Sequence, residues 1–232
     1  MPGITLTPES QQKQKQQQLE HKSNTITTAS SEPAPMRSGS VVSLPAVEIF
    51  NLPAKVPELL KSRQLPFPYL ATSFSLQHSI HPCSRRLKRE LRLTFPEVEG
   101  REDGLFIIPT FQPTEHPMIS YYDGSQEEKD EKLFNFYRWA ALFVKHLKDR
   151  GFWGDATDPA SGLPLFTTCG PSLYPDVEGA EMLLRYNTIN IGCCGVVSHP
   201  TWGTKVYPAT AFAIAPPEAI AEAIRSISSP SN

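Results

Sequence analysis

Two adjacent thiols, Cys193 and Cys194, stand between Gly192 and Gly195 in the segment NIGCCGVVSHPTWGTKV (190–206), which also holds His199 and Trp202. A thiolate is a nucleophile and a ligand for soft or borderline metals. Glycines on either side remove bulk, so a large flat molecule or another backbone could approach the sulfurs. The plain alternative is packing: free cysteine is among the most buried residue types, and the glycines could serve a tight turn alone. Neighbouring cysteines close a disulfide only with strain, so these two are expected to be free or singly engaged.

Three chemistries compete with packing. A structural zinc site takes four ligands, usually in pairs spaced like Cys-x2-Cys. Cys193, Cys194 and His199 lack that spacing, and Cys83 and Cys169 have no partner nearby in sequence. A thiol hydrolase needs a histidine against the sulfur; His199 is the nearest, yet the extended chain between them spans about 17 to 20 Å. His78 and His81 are further candidates that nothing in the sequence singles out. Gly-x-Ser-x-Gly, Walker and dinucleotide-binding glycine signatures are absent. The third chemistry is a single thiolate serving as axial ligand to a metal that something else already holds, such as cobalt in a corrin ring. The residues permit this without selecting it.

The rest of the chain must position that segment. Its 232 residues allow one ordinary domain and a tail. With 22 basic and 24 acidic residues, a net charge of −2, there is no positive excess to neutralise a phosphate backbone, so nucleic acid is not expected as a partner. The longest apolar runs, 105–108 and 211–215, fall far below the roughly 20 residues of a membrane span. Four cysteines without an apolar leader suggest reduced thiols in an intracellular compartment.

Residues 1–45, with the run QQKQKQQQ, are expected to be a disordered low-complexity tail, and 46–232 a single domain. The prolines at 45, 53, 57, 66 and 68 suggest surface loops. Alternation of Phe74, Leu76, His78 and Ile80 with polar residues predicts a half-buried strand, SRRLKRELRL (84–93) a helix, and LFIIPTF (105–111) a buried strand broken by Pro109. A long helix is predicted over 126–150, with Ser125 and Glu128 as a capping box and Gly151 as its left-handed cap. Its apolar face is Leu133, Phe136, Ala140, Phe143, Val144 and Leu147, and its opposite face Lys132, Arg138, Lys145 and Lys148. A Gly/Pro/Asp-rich connection (151–182), strands over 195–198 and 205–214 and a helix from Pro217 complete the order. Strands without regular β-α-β alternation predict an α+β domain with a mostly antiparallel sheet.

Three blocks carry a resemblance. Gly151, Trp153, Asp155, Asp158, Pro159, Ser161, Gly162 and Leu163 form one, and Gly192, Cys193, Cys194, Val196, His199, Trp202, Gly203 and Thr204 another. The third is Phe95-Pro96-Glu97-Val98. Together, over about 70–218, they resemble the methylmalonic aciduria and homocystinuria type D (cblD) family of vitamin B12 trafficking adaptors. The resemblance implies a nitroreductase-like α+β fold with no activity of its own and no tightly bound cofactor. It further implies a cblC-type cobalamin-processing partner, and delivery of cobalamin towards methionine synthase and methylmalonyl-CoA mutase. It places on Cys193 the thiolate that coordinates cobalt transiently while the partner carries the cobalamin, with Gly192, Cys194, Gly195, His199 and Trp202 shaping the loop. A cytoplasmic location is expected, with the mitochondrion as the family's other compartment. The competing expectation is a flavin- or thiol-dependent oxidoreductase of nitroreductase descent.

Overall fold

The computed structural model describes residues 43–52, 60, 73–119, 125–192 and 194–228; Leu44 and Cys194 are described in their backbones alone. The expected tail lies outside these residues up to residue 42. In chain order the elements are β1 (Ser43–Asn51), β2 (Ser73–Pro82), α1 (Arg85–Thr94), β3 (Leu105–Pro113), α2 (Ser125–Asp149) and β4 (Trp153–Ala156). There follow α3 (Asp176–Leu184), β5 (Asn187–Ile191), β6 (Cys194–Ser198), β7 (Val206–Ile214) and α4 (Pro217–Ser228).

Five strands form one antiparallel sheet in the order β1-β2-β3-β7-β4, while β5 and β6 pair separately. The α+β class and antiparallel sheet are as the patterning predicts. Because side chains alternate along a strand, each face of the sheet has its own core. On one face Phe74, Leu76, Ile80, Ile108, Ala209, Ala211 and Ala213 pack against α2 and α4. The small alanines of β7 let the bulky Phe136, Phe143 and Leu147 of α2 come down onto the strand. On the other face Ile107, Trp153 and Phe212 meet Leu87 and Leu91 of α1, and Phe111 and Val206 meet Ala180 and Leu184 of α3.

Local chemistry sets the ends of the helices. Ser84 caps α1 by accepting the Leu87 N–H at 3.4 Å, and the helix stops at Phe95 before Pro96. Gly151 (φ +78°) closes α2: its N–H donates to the Lys148 carbonyl at 3.0 Å, and that of Phe152 to Leu147 at 3.0 Å. This is the paired bonding of a Schellman cap.

Several expectations are corrected. The proline-punctuated stretch contains the edge strand β1, and the 151–182 connection contains β4 and the start of α3, each too short or too poor in apolar periodicity to declare itself. Pro109 does not break β3, whose pairing with β7 runs unbroken from Leu105↔Ile214 to Pro113↔Val206. Its missing N–H falls on the β2 side, where pairing passes from His78↔Thr110 directly to His81↔Ile107. The Glu128 carboxylate, expected in a capping box, accepts the backbone N–H groups of Glu115 (2.6 Å) and His116 (3.0 Å) and meets the His116 ring at 3.0 Å. Arg138 is fully buried instead of exposed, with its guanidinium 5.6 Å above the Phe134 ring. Residues 134–141 are all buried, so the middle of α2 runs inside the core.

Candidate functional site

The thiol segment occupies the β5–β6 hairpin. Register runs from Asn187↔Ser198 to Ile191↔Cys194, so the connection is two residues long and begins at Gly192. A two-residue hairpin connection requires a positive φ at its first position, which Gly192 supplies at +68°. A Cβ on Gly192 would meet nothing within 4 Å. Cys193 itself, the residue expected to bind metal, lies outside the described residues.

One hairpin flank leans on α3. Val197 is buried against Ala180 and Leu184, and a Cβ at Gly195 would reach the Val177 methyl at 3.4 Å. Between hairpin and helix lies a polar depression of about 430 Å³ lined by Val177, Glu178, Glu181, Thr188, Asn190, Gly192 and Gly195. The glycines leave its rim beside the turn without side chains.

His199 belongs to the opposite end of β6. The strand is extended from Cys194 to Ser198, so the histidine stands about 17 Å along the chain from the thiols. Its ring is spoken for on both sides. Nε2 donates to the Gln77 amide oxygen at 2.6 Å, and Nδ1 accepts the backbone N–H groups of Thr201 (3.1 Å) and Trp202 (3.3 Å). Trp202 stacks on the imidazole at 4.3 Å, and Tyr186 meets it edge-on at 5.0 Å. Burial pushes its pKa down to about 4, so the ring is neutral and has no free lone pair for a metal or proton. His199 and Trp202 thus close the turn 199–203, where His199 and Gly203 exchange two backbone hydrogen bonds of 2.8 Å.

The other candidates lie elsewhere. His81 is held by Ser79 at 2.8 Å with its pKa lowered to about 4 by burial, and His78 of β2 packs beside Glu48 of β1. Burial raises the Cys83 thiol to about 12, which keeps it protonated, whereas Cys169 is exposed. Among the described residues no group of three or more His, Cys, Asp or Glu side chains is placed to hold a metal ion. Nor is any described helix long and apolar enough to cross a membrane. Gln77, which fixes the His199 tautomer, was not legible beforehand; the alternation in β2 assigns its face but not its partner.

The remaining two blocks build the scaffold. Asp155, buried in β4, accepts the N–H groups of Ala156 (2.7 Å) and Phe166 (3.0 Å) and the Thr167 hydroxyl. Asp158 accepts from Ala160 N–H at 3.0 Å and from the Ser161 hydroxyl at 2.7 Å, tightening the turn that Gly162 (φ +74°) completes. Glu97 accepts the Trp153 indole N–H at 3.3 Å while Phe95 meets that ring edge-on at 5.6 Å. These contacts lock the 95–98 and 151–166 blocks together.

What fold and site define is an antiparallel α+β domain carrying, apart from its main sheet, a hairpin that turns at Gly192. The family model described as methylmalonic aciduria and homocystinuria type D protein matches residues 3–225, and the chain belongs to that family. It is 29% identical over 140 residues to the cobalamin trafficking protein CblD of Rattus norvegicus, covering 60% of this chain and 47% of the relative. It is 27% identical over 146 residues to that of Homo sapiens, covering 63% and 49%. The chain spans about half the length of the curated relatives it matches.

Proposed function

We propose that this chain is an adaptor in intracellular cobalamin trafficking. It meets a cblC-type carrier of cobalamin and directs the cargo towards methionine synthase and methylmalonyl-CoA mutase. On this reading the Cys193 thiolate is the axial ligand to cob(II)alamin held by the carrier. Ligation forms one sulfur–cobalt bond, releases the thiol proton to solvent and transfers no electron.

The observation that carries the reading is the hairpin itself. A corrin is broad and flat, so a protein thiolate reaches its axial face only from a narrow projection with no bulk at its flanks. A two-residue turn whose Gly192 has open space where a side chain would be meets that requirement. Pairing of Cys194 with Ile191 makes it part of the strand that supports the turn. With both ring nitrogens of His199 occupied, that histidine is not available as a general base. The sheet and its helices then act as a nitroreductase-like scaffold, with no flavin of its own.

Cob(II)alamin on the carrier, kept anaerobic, is expected to change its absorption spectrum when this protein is added. Cys193→Ala should abolish the change and Cys194→Ala should leave it. No change with any form, or loss with Cys194→Ala alone, would remove the role from Cys193. The purified chain should also lack visible absorption between about 350 and 500 nm; a flavin band there would favour the oxidoreductase reading.

A further inference from the structure

We infer that the solvent face of α1, together with Leu163 and Leu173, is a docking surface for a protein segment that carries acidic side chains around an apolar ridge. The inference is independent of cobalt ligation.

The buried side of α1 is Leu87, Leu91 and Thr94. Its outward side exposes Arg85, Arg86, Arg89, Arg92 and Leu93. Helical spacing puts Arg85, Arg89 and Leu93 on one stripe at i, i+4 and i+8. Leu93 is 50% exposed, and at its end of the helix the Ser172 N–H donates to the Leu93 carbonyl at 3.2 Å, bringing in Leu173, which is 57% exposed. A Cβ on Gly162 would lie 3.1 Å from that of Leu173, so Leu163, at 37%, borders the same area. The large apolar side chains exposed among the described residues are Val47, Ile49, Leu93, Leu163, Leu173 and Ile189, and half of them fall in this patch. Clustering of that kind marks interaction surfaces more often than chance exposure does.

Charge identifies the occupant. Lys88 is met by Asp103 at 2.6 Å, Arg92 by Glu102 at 3.3 Å and Arg86 by Glu90 at 3.6 Å. Arg85 and Arg89 have no ion-pair partner among the described residues. The patch therefore presents two uncompensated guanidinium groups beside three leucines, which an acidic amphipathic segment complements and a basic or purely polar one does not. A membrane surface fits less well. The continuous apolar face of α1 is turned into the core, and its exposed leucine sits at one end of an arginine stripe, leaving no broad apolar face to insert.

The probe is a fluorescein-labelled synthetic helix of Glu and Ala with leucines at i, i+3 and i+7, followed by fluorescence anisotropy with the full chain. Saturable binding is expected, weakened about tenfold or more by Arg85→Glu with Arg89→Glu, and likewise by Leu93→Ser with Leu173→Ser. Circular dichroism should show both variants folded, since every replaced side chain faces solvent. Added salt should weaken binding to the unmodified chain, as screening demands. Absence of saturable binding would overturn the inference. So would undiminished binding by both folded variants, equal binding of a peptide with Lys in place of Glu, or preferential binding to phosphatidylserine vesicles.

Discussion

Gly170→Ala should lower the melting temperature by about 10 °C, a larger loss than any exposed substitution in this chain would cause. A Cβ at this position would lie 2.0 Å from the Leu93 carbonyl oxygen, 2.8 Å from its carbon and 3.1 Å from the Thr94 oxygen. All three atoms are backbone at the end of α1, so no side chain can swing aside. The Gly170 N–H also donates to Thr94 O at 3.0 Å, and relief of the clash would break that bond. The 168–173 segment would then part from the end of α1, to which Gly170 and Ser172 bond. A cost on the order of 3 kcal/mol converts to a shift of about 10 °C for a domain of this size. Scanning calorimetry measures it; an unchanged melting temperature would mean that the segment does not pack on α1 at all.

The second large effect is expected at His199. Replacement by alanine removes the proton donated to Gln77, takes the acceptor from the N–H groups of Thr201 and Trp202, and deletes the ring on which Trp202 stacks. Lost hydrogen bonds and the cavity together cost about 3 to 4 kcal/mol, visible as a lower urea midpoint. The same residue makes stability depend on pH. With a folded pKa of about 4 against 6.5 unfolded, His199 contributes stability that is complete above pH 6.5 and lost as pH falls towards 4. His81, also at about 4, adds to this with the same sign.

Asp176 opposes them. Burial raises its folded pKa to about 7, so its contribution is complete at low pH, below the ordinary carboxylate value, and declines as pH rises through 7. Two histidines outweigh one carboxyl between pH 4 and 6.5, and beyond that only the carboxyl acts. His78, lowered by burial, and Asp155, raised by burial, bear on this window with opposite signs. Urea midpoints should climb from pH 4 to a maximum near 6.5 and ease off towards 7. His199→Ala should flatten the climb; an unaltered slope would show that His199 is solvated in the folded state.

Strong periodicity was legible in advance, and contacts between distant segments were not. The alternation in β2 and the spacing of Leu87 and Leu91 predict elements that the structure contains, although β2 is half-buried only as far as Gln77 and is covered on both faces from His78 to His81. The long helix was legible too, although its Ser-x-x-Glu signal points to a capping box while Glu128 instead holds the 115–116 turn. No local rule foresees that a carboxylate will find a better set of donors outside its own helix. Arg138 misleads for a related reason: a cation counts as solvent-facing until a tertiary neighbour such as Phe134 covers it. The turn between Ile191 and Cys194 follows from its glycines, but the closing of His199 onto Gln77 joins residues far apart in sequence, and nothing near either one announces it.

The separation of the β5–β6 hairpin from the five-stranded sheet has a mechanical consequence. A central strand of the main sheet cannot tilt without tearing a ladder on either side, whereas among the described residues no ladder joins this hairpin to that sheet. The hairpin's attachment to the frame is therefore made by side chains, with Val197 packed among Phe111, Val206 and α3 and with Tyr186 and His199 reaching Gln77. In hydrogen exchange the amides of Ile189 and Val196 should open well before those of Ile108 and Ala211. The hairpin is thus the part of the described structure that can open while leaving the five-stranded ladder whole.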